Sequence, residues 1–406
     1  MNIKFLGISA HLVTGASGHF ETFHKGFFTT MKESVGERNC NFLGSQISRE
    51  TDSWFMAVLP SSLASRVPWL SKRSLNSLIA VLDDANDDLI IYVYEGNLAN
   101  LLLLGSVVRQ RSNAFLYFNL FDSNRYRSIF RSNLRRFMFK SLFLLAYRGL
   151  DRKVYLSADT KRFAQLLTRK LGKKFSEYPM YSALDFHLSP DSHVKKILIN
   201  FRGQQSERLM KSAIERFPTL QELELDLHGL HDKGIAQDLS RFPKITILPD
   251  QVDESTYFGM YRHYYRVAFI YDPDFFSMQS SGRLADAIVA GAQLVVPRNT
   301  SLEDVLNEYG NGNTFSFSSC ESLAFALILD PAIPKRADYL PTSSRAAQII
   351  LNSMEELIKG SRDVLAQPYR RAINTAIDES IRGVLWFLRI VFGVGNRLRR
   401  FLKRKL

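Results

Sequence analysis

Two short stretches of this chain hold residues suited to binding a charged oxygen ligand. In KILINFRGQQSER an apolar run ends in Arg202 and Gly203, and Arg208 follows six positions after Arg202. In SMQSSGRLADAIVAGAQLVVP, at 277–297, Ser280, Ser281 and Gly282 precede a small-residue helical stretch that contains Asp286 and Gly291. An arginine presents a planar fork of donors that matches a phosphate. The unpaired N–H groups at a helix start carry the positive end of the helix dipole and suit the same ligand. Chemistry available to such a set is the binding of a phosphate or diphosphate, and the stabilisation of negative charge as that group leaves.

Other candidates stand outside these stretches. Glu95 follows the apolar run LIIYVYEG, where a carboxylate at a cleft edge can act as a base. Gly15, Gly18 and His19 lie in TGASGHFE, a loop that permits close backbone approach to a ligand. His19 and His24 lack partners at metal-ligand spacing, and ordinary surface or core roles suit them better. Asp272 and Asp274 flank Pro273 in a D-x-D pattern that can hold a divalent metal but is also common turn chemistry. Cys40 and Cys320 are far apart in sequence and form no metal or disulfide pattern, which fits a reducing cytosol. No metal site is expected.

The elements that must position these residues follow from the hydropathy pattern. With 406 residues and 46% hydrophobic content, the chain can build two packed cores. Strand-like runs (NIKFLGIS, LIIYVYEG, AFLYFNL, KVYLSAD) alternate with helical stretches, the mark of βαβ units and a parallel sheet. A proline-bearing passage, EYPMYSALDFHLSPDSH, interrupts the alternation before it resumes with VKKILINFRG, LELDLHG, KITIL, VAFIYDP and QLVVP. The pattern predicts an α/β protein of two doubly wound Rossmann-like domains, at 1–188 and 189–345. Helices at 346–381, with Pro368 as a break, and a basic tail at 382–406 complete the chain. In open α/β sheets ligands bind at the carboxyl ends of strands, where both phosphate-binding candidates fall.

The net charge of +13 is concentrated in two segments. Arg125 to Lys153 holds nine Lys or Arg against Asp151, and Arg382 to Leu406 holds eight with no acid, so the remainder has a net charge of −3. Both segments interleave cations with apolar side chains. RYRSIFRSNLRRFMFKSLFLLAYRG reads as one amphipathic basic helix, with Arg131, Arg135, Arg136, Phe137 and Lys140 as membrane contacts, and the tail adds Trp386, Arg399 and Arg400. Such helices lie in a membrane interface and are drawn to anionic lipid. Nucleic acid is a rival partner for Arg with aromatics, but the aromatic spacing is helical and no nucleic-acid motif is present, so none is expected. The start, MNIKFLGISA, reads as a first strand rather than a signal peptide, and no run is long and uncharged enough for a spanning helix.

The stretch at 277–297 resembles the donor-binding helix of GT-B fold glycosyltransferases of the group 1, family 4-like superfamily. There a Ser-Gly pair precedes an E-A-x-x-x-G-x-x-V-V-x-P pattern, and here Asp286-Ala287, Gly291 and Leu294 to Pro297 match it. Arg202-Gly203 with Arg208, the stretch ITILPDQVDESTYFGMYRHYYRVAFI, and MNIKFLGIS with GASGHFETFHKGF are similar to other parts of that pattern.

The resemblance implies two domains facing each other across a cleft. The second would bind a nucleotide-sugar through Arg202, Gly203, Arg208, Ser280, Ser281, Gly282 and Asp286, with Phe275 to Gln279 as the donor-sugar loop. The first would hold a lipid-linked or nascent glycan acceptor. It implies a retaining, metal-independent hexosyl transfer with no cofactor beyond the donor substrate, in a cytoplasmic enzyme peripheral to the inner face of the cell membrane. Two departures are visible. Met278 stands where many members carry the first of two glutamates, and the usual first-domain histidine is absent, leaving Glu95, Asn97, Asn119 and Asp122 at the strand ends concerned. A non-catalytic relative that binds without transferring is the alternative within the same fold.

Overall fold

The computed structural model describes residues 3–8, 19–43, 87–96, 98–121, 123–182, 196–249, 260–309, 314–329 and 342–362. The first sheet contains β1 (Ile3–Ile8), β2 (Cys40–Leu43), β3 (Asp88–Gly96), β4 (Ala114–Leu120), β5 (Val154–Ala158) and β6 (Ser176–Glu177). Their order is β2-β1-β3-β4-β5-β6, with every described pairing parallel. Among the described residues, the helices that alternate with these strands are α1 (His19–Val35), α2 (Leu98–Gln110), α3 (Ser123–Arg131), α4 (Asn133–Tyr147) and α5 (Lys161–Leu171).

Side chains alternate across a strand, and β3 shows what that does here. Leu89, Ile91 and Val93 face one core with Leu101, Leu104 and Val108 of α2 and Phe139 and Phe143 of α4. Ile90, Tyr92 and Tyr94 face a second core with Phe27, Phe28 and Met31 of α1. A parallel sheet covered on both faces needs such continuously apolar strands.

The second sheet contains β7 (Ile197–Arg202), β8 (Leu225–His228), β9 (Ile245–Ile247), β10 (Arg266–Tyr271), β11 (Gln293–Pro297) and β12 (Thr314–Phe317), in the order β12-β11-β10-β7-β8-β9. Its helices are α6 (Gln204–Arg216), α7 (Lys233–Leu239), α8 (Pro273–Phe276), α9 (Gly282–Val289), α10 (Ser301–Tyr309) and α11 (Cys320–Ile328). A last helix, α12 (Ser343–Arg362), returns to the first domain, where Ala346, Ala347, Ile350, Met354 and Ile358 share the core of α1.

In the second sheet β7 lies between β8 and β10, so successive connections run to opposite sides and leave a crevice at the carboxyl ends of β7 and β10. Arg202 is the register partner of Tyr271, and Asp272 N donates to Arg202 O at 3.1 Å. Arg266, at the other end of β10, is fully buried. Its guanidinium donates to Gln293 Oε1 and to the Leu327 and Leu329 carbonyls that end α11, where the helix dipole favours a cation.

The basic stretch read as one amphipathic helix is instead two. Ser132 adopts an extended conformation and its hydroxyl accepts the Arg135 N–H, capping α4 and ending the continuity with α3. Lys153, one of the nine cations of that segment, is buried and donates to the Val108 and Arg111 carbonyls at the end of α2. Among the described residues no helix is long and apolar enough to cross a membrane.

Gly203 caps α6 at φ 102°, and a Cβ there would lie 3.3 Å from Asp272 Cβ. That backbone region is open to glycine almost alone. Gly203→Ala is expected to cost about 1–3 kcal/mol, read as a lower thermal midpoint; an unchanged midpoint would show that the turn tolerates a side chain.

Candidate functional site

Two arginines gather at the carboxyl-end side of β7 and β8. Arg202 is exposed at the end of β7, its guanidinium 5.6 Å from the Phe275 ring centroid and 6.0 Å from that of Phe276. Arg283, in the first turn of α9, contacts His228 Nδ1 at 2.8 Å and donates to Asn200 Oδ1 at 3.3 Å. An arginine can only donate, so His228 Nδ1 accepts and the ring's own proton sits on Nε2. Burial pushes the Tyr271 phenol up, while Arg283, the Ser281 hydroxyl and Arg202 oppose the shift. A Cβ at Gly282 would meet nothing within 4 Å, which leaves the start of α9 open on that face. Arg208 is exposed in the second turn of α6.

Of the D-x-D pair, Asp272 serves the backbone. Asp272 Oδ1 accepts the Asp274 N–H at 2.9 Å and caps α8, as Asp does ahead of Pro at a helix start.

Ser277 and Ser280, ahead of α9, face the first domain. Ser280 N and Ser280 Oγ both donate to the Asp159 carboxylate, at 3.0 and 2.7 Å, and Asp159 follows β5 and is only 4% exposed. Thr160 Oγ1 donates to Met278 O at 2.7 Å, and the Met278 side chain packs on the first-domain core. From α3, Arg127 donates to Asp274 O and, at 2.8 Å, to Ser277 Oγ. Asp286 turns inward and accepts from Ser182 Oγ at 2.6 Å, so its carboxylate is engaged where the chain leaves the first domain. Arg162 of α5 clasps Asp304 and donates to Asn299 O at 2.7 Å. Asn299 adopts φ 60°, a conformation asparagine tolerates, and its carbonyl meets Arg162.

Burial pushes the Asp159 carboxyl up to about 6, against the two hydrogen bonds from Ser280 that favour its charged form. Glu177 is raised to about 7 by burial and by Glu308 and Asp304 across the interface, with Lys161 opposing. Its side chain is exposed in part, so solvent screens much of that effect.

No family model matches the sequence, and no curated protein does. Solved structures do match in fold. The N-terminal domain of the Candida albicans trehalose-6-phosphate phosphatase is 12% identical with a TM-score of 0.53, covering 88% of this chain and 97% of that one. Sucrose-phosphate synthase from Thermosynechococcus elongatus is 13% identical with a TM-score of 0.51, over 92% and 100% of the two chains. AviGT4, a glycosyltransferase involved in avilamycin A biosynthesis, is 10% identical with a TM-score of 0.50, over 88% and 98%. The chain has the GT-B fold. At such identities the likeness is one of fold.

On the first GT-B domain, Glu95 belongs to the carboxyl end of β3, and its side chain lies outside the described residues, as do Asn97 and Asp122. Asn119 is buried in β4, donating to Tyr94 O and accepting from Ser157 Oγ. His19 begins α1, with its side chain outside the described residues; Gly15, Gly18, Trp386, Arg399 and Arg400 lie outside them altogether. On α4 the inner face is Phe139, Phe143, Ala146 and Tyr147. The outer face presents Leu134 and Phe137, each 68% exposed, with Met138 and Leu144 beside them. Arg131, Arg135 and Lys140 flank this face in solvent, and Arg136 donates to Asn133 Oδ1 at 3.0 Å.

Sequence reasoning missed Arg283, Asn200, His228, Asp159 and Ser182. Asp159 ends KVYLSAD and His228 ends LELDLH, so the strand-end rule that selected Arg202 applied to both. Ser182 and the partners of Asp159 have no local signal, because the contacts span more than 100 residues.

A pH dependence follows from Asp159. An acid whose pKa is higher when folded binds its proton more readily there, so its contribution is present below about 4 and is lost as pH rises to about 6. The loss is at most about 3 kcal/mol. Thermal melting of the parent across this window is expected to show falling stability, and Asp159→Asn should flatten the slope. A slope unchanged in Asp159→Asn would assign the dependence to other groups.

Proposed function

We propose that this protein is a glycosyltransferase that moves a sugar from a nucleotide-sugar donor, held by the second domain, onto a lipid-linked or nascent glycan acceptor held by the first. One observation carries the reading: at the switch point of a GT-B second domain, Arg202 at the end of β7 and Arg283 in the first turn of α9, bonded to His228 at the end of β8, bring two guanidinium groups to adjoining strand ends. A nucleoside diphosphate leaving group gains negative charge as the sugar–phosphate bond breaks, and fixed guanidinium groups oppose that charge without rearrangement. Solved structures that share the fold include one named sucrose-phosphate synthase and one named a glycosyltransferase, which supports the class of reaction. On the acceptor side Glu95 is the candidate base for the incoming hydroxyl, since it belongs to the strand end at the switch point of the first sheet.

The outer face of α4 supports docking at an anionic membrane, where an acceptor carried on lipid is found. Leu134 and Phe137 would each gain about 1.5–3 kcal/mol on burial in the acyl region. Each nearby Arg or Lys would add about 1 kcal/mol at an anionic surface.

A second reading, a GT-B protein that binds without transferring, has one observation in its favour. Met278, at the place of an acid in the family the sequence resembles, is committed to packing on the first domain. Release of nucleoside diphosphate from a nucleotide-sugar by the purified chain would exclude it.

Thermal melting with a panel of nucleotide-sugars and nucleoside diphosphates tests the donor site, since a ligand bound by the native state alone raises the midpoint. A rise with one base that disappears in Arg202→Ala is the expected result, and no rise with any member of the panel would refute the donor assignment. For the membrane, flotation with phosphatidylglycerol vesicles should recover the parent, whereas a double Leu134→Asp, Phe137→Asp variant should stay in the soluble fraction. Equal recovery of both would remove α4 from the docking surface.

A further inference from the structure

The loop that leads into α9 is already bonded to an oxyanion of the protein's own. We propose that Asp159 is a built-in competitor for the donor phosphate, holding the anion position at 280–283 in the closed arrangement and giving it up when the donor binds. This rests on the donor-site reading above and adds its regulation.

Two donors of one residue, the N–H and hydroxyl of Ser280, converge on the two oxygens of the Asp159 carboxylate at 3.0 and 2.7 Å. Carboxylate and phosphate oxygens take such donors at the same distances, so the same pair cannot serve both at once. Two cations belong to the adjoining helix start and strand end. Arg283, next to Gly282, is held by Asn200 Oδ1 and His228 Nδ1, and Arg202 is exposed at the adjacent strand end. Asn200 supplies an independent sign of a ligand: it is fully buried, its oxygen accepts from Arg283, and its Nδ2 has no hydrogen-bond partner among the described residues.

The attachment of Asp159 explains how the competitor is presented. It stands at the end of β5, and the next residue, Thr160, donates to Met278 O while its hydroxyl also caps α5. Arg127 grips Asp274 O and Ser277 Oγ at the other end of the same loop. The segment 274–280 is thus held from both ends by the first domain, with the carboxylate delivered at the α9 side. Donor binding at Ser280 has to break this contact, so occupancy of the donor site and separation of the loop from β5 are coupled.

The test is titration calorimetry of the full chain with inorganic pyrophosphate, UDP, GDP and ADP, comparing the parent with Asp159→Asn, Asp159→Ala and Arg162→Gln. Asp159→Asn keeps the shape of the side chain if the alanine variant fails to fold. Arg162→Gln loosens the interdomain contact at Asp304 without touching the start of α9. The expected result is about tenfold tighter binding of pyrophosphate and of the preferred nucleoside diphosphate in both Asp159 variants, with no gain in Arg162→Gln. Unchanged or weaker binding in the Asp159 variants overturns the proposal, and so does an equal gain in Arg162→Gln. A gain for pyrophosphate with no preference for any nucleoside diphosphate upholds the competitor and sinks the nucleotide-sugar reading. Preference for one nucleoside diphosphate with no Asp159 effect does the reverse, and no binding by any of the proteins sinks both.

Discussion

Every described strand pairing in both sheets is parallel, and the rest of the structure follows from that constraint. Parallel neighbours cannot be joined by a tight hairpin, so each connection crosses a face and brings helices with it. Both faces are then buried, which demands apolar side chains at odd and even positions alike, as in β3. All carboxyl ends collect at one edge of each sheet. That is why Arg202, His228 and Tyr271 come together from strands separated by dozens of residues, and why Asp159 can meet the loop before α9.

The charge of the chain divides according to what surrounds each cation. Arg109, Lys153 and Arg266 are buried, and each donates to backbone carbonyls at or near helix ends, where the dipole favours positive charge. Arg127 and Arg162 are spent between domains. Arg131, Arg135 and Lys140 remain in solvent around an apolar face. Sequence counting gave all of these equal weight, although only the last group can attract an external surface. Arg202 and Arg283 form a separate class, concentrated where a loop, a strand end and a helix start supply further donors.

Much of the architecture was legible because it is local. Apolar runs of five to nine residues marked β1 and β4 and, with Gly, Asp or Pro at their ends, β3, β5, β7, β10 and β11, and Gly203 marked a turn that its φ of 102° requires. The two stretches selected as phosphate-binding candidates were legible as local structure for the same reason: strand end, turn and helix start are consecutive in sequence. Direction across space was not legible. Ser280 looked outward to a ligand in the sequence, yet its partner is 121 residues away, and Asp286 meets Ser182 across 104. On α4 the helical period was correct but did not say which apolar residues would face the sheet. The break at Ser132 rotates α4 relative to α3, so Phe139 and Phe143 go in while Leu134 and Phe137 stay out.

The return of α12 to the first domain has a mechanical meaning. The chain passes from first domain to second after Ser182 and comes back before Ser343, so two covalent crossings join the halves. One crossing would act as a swivel, free to turn in any direction. Two leave fewer relative motions open, so a first-domain group such as Asp159 stays within reach of the loop before α9 even when its contact with Ser280 is broken.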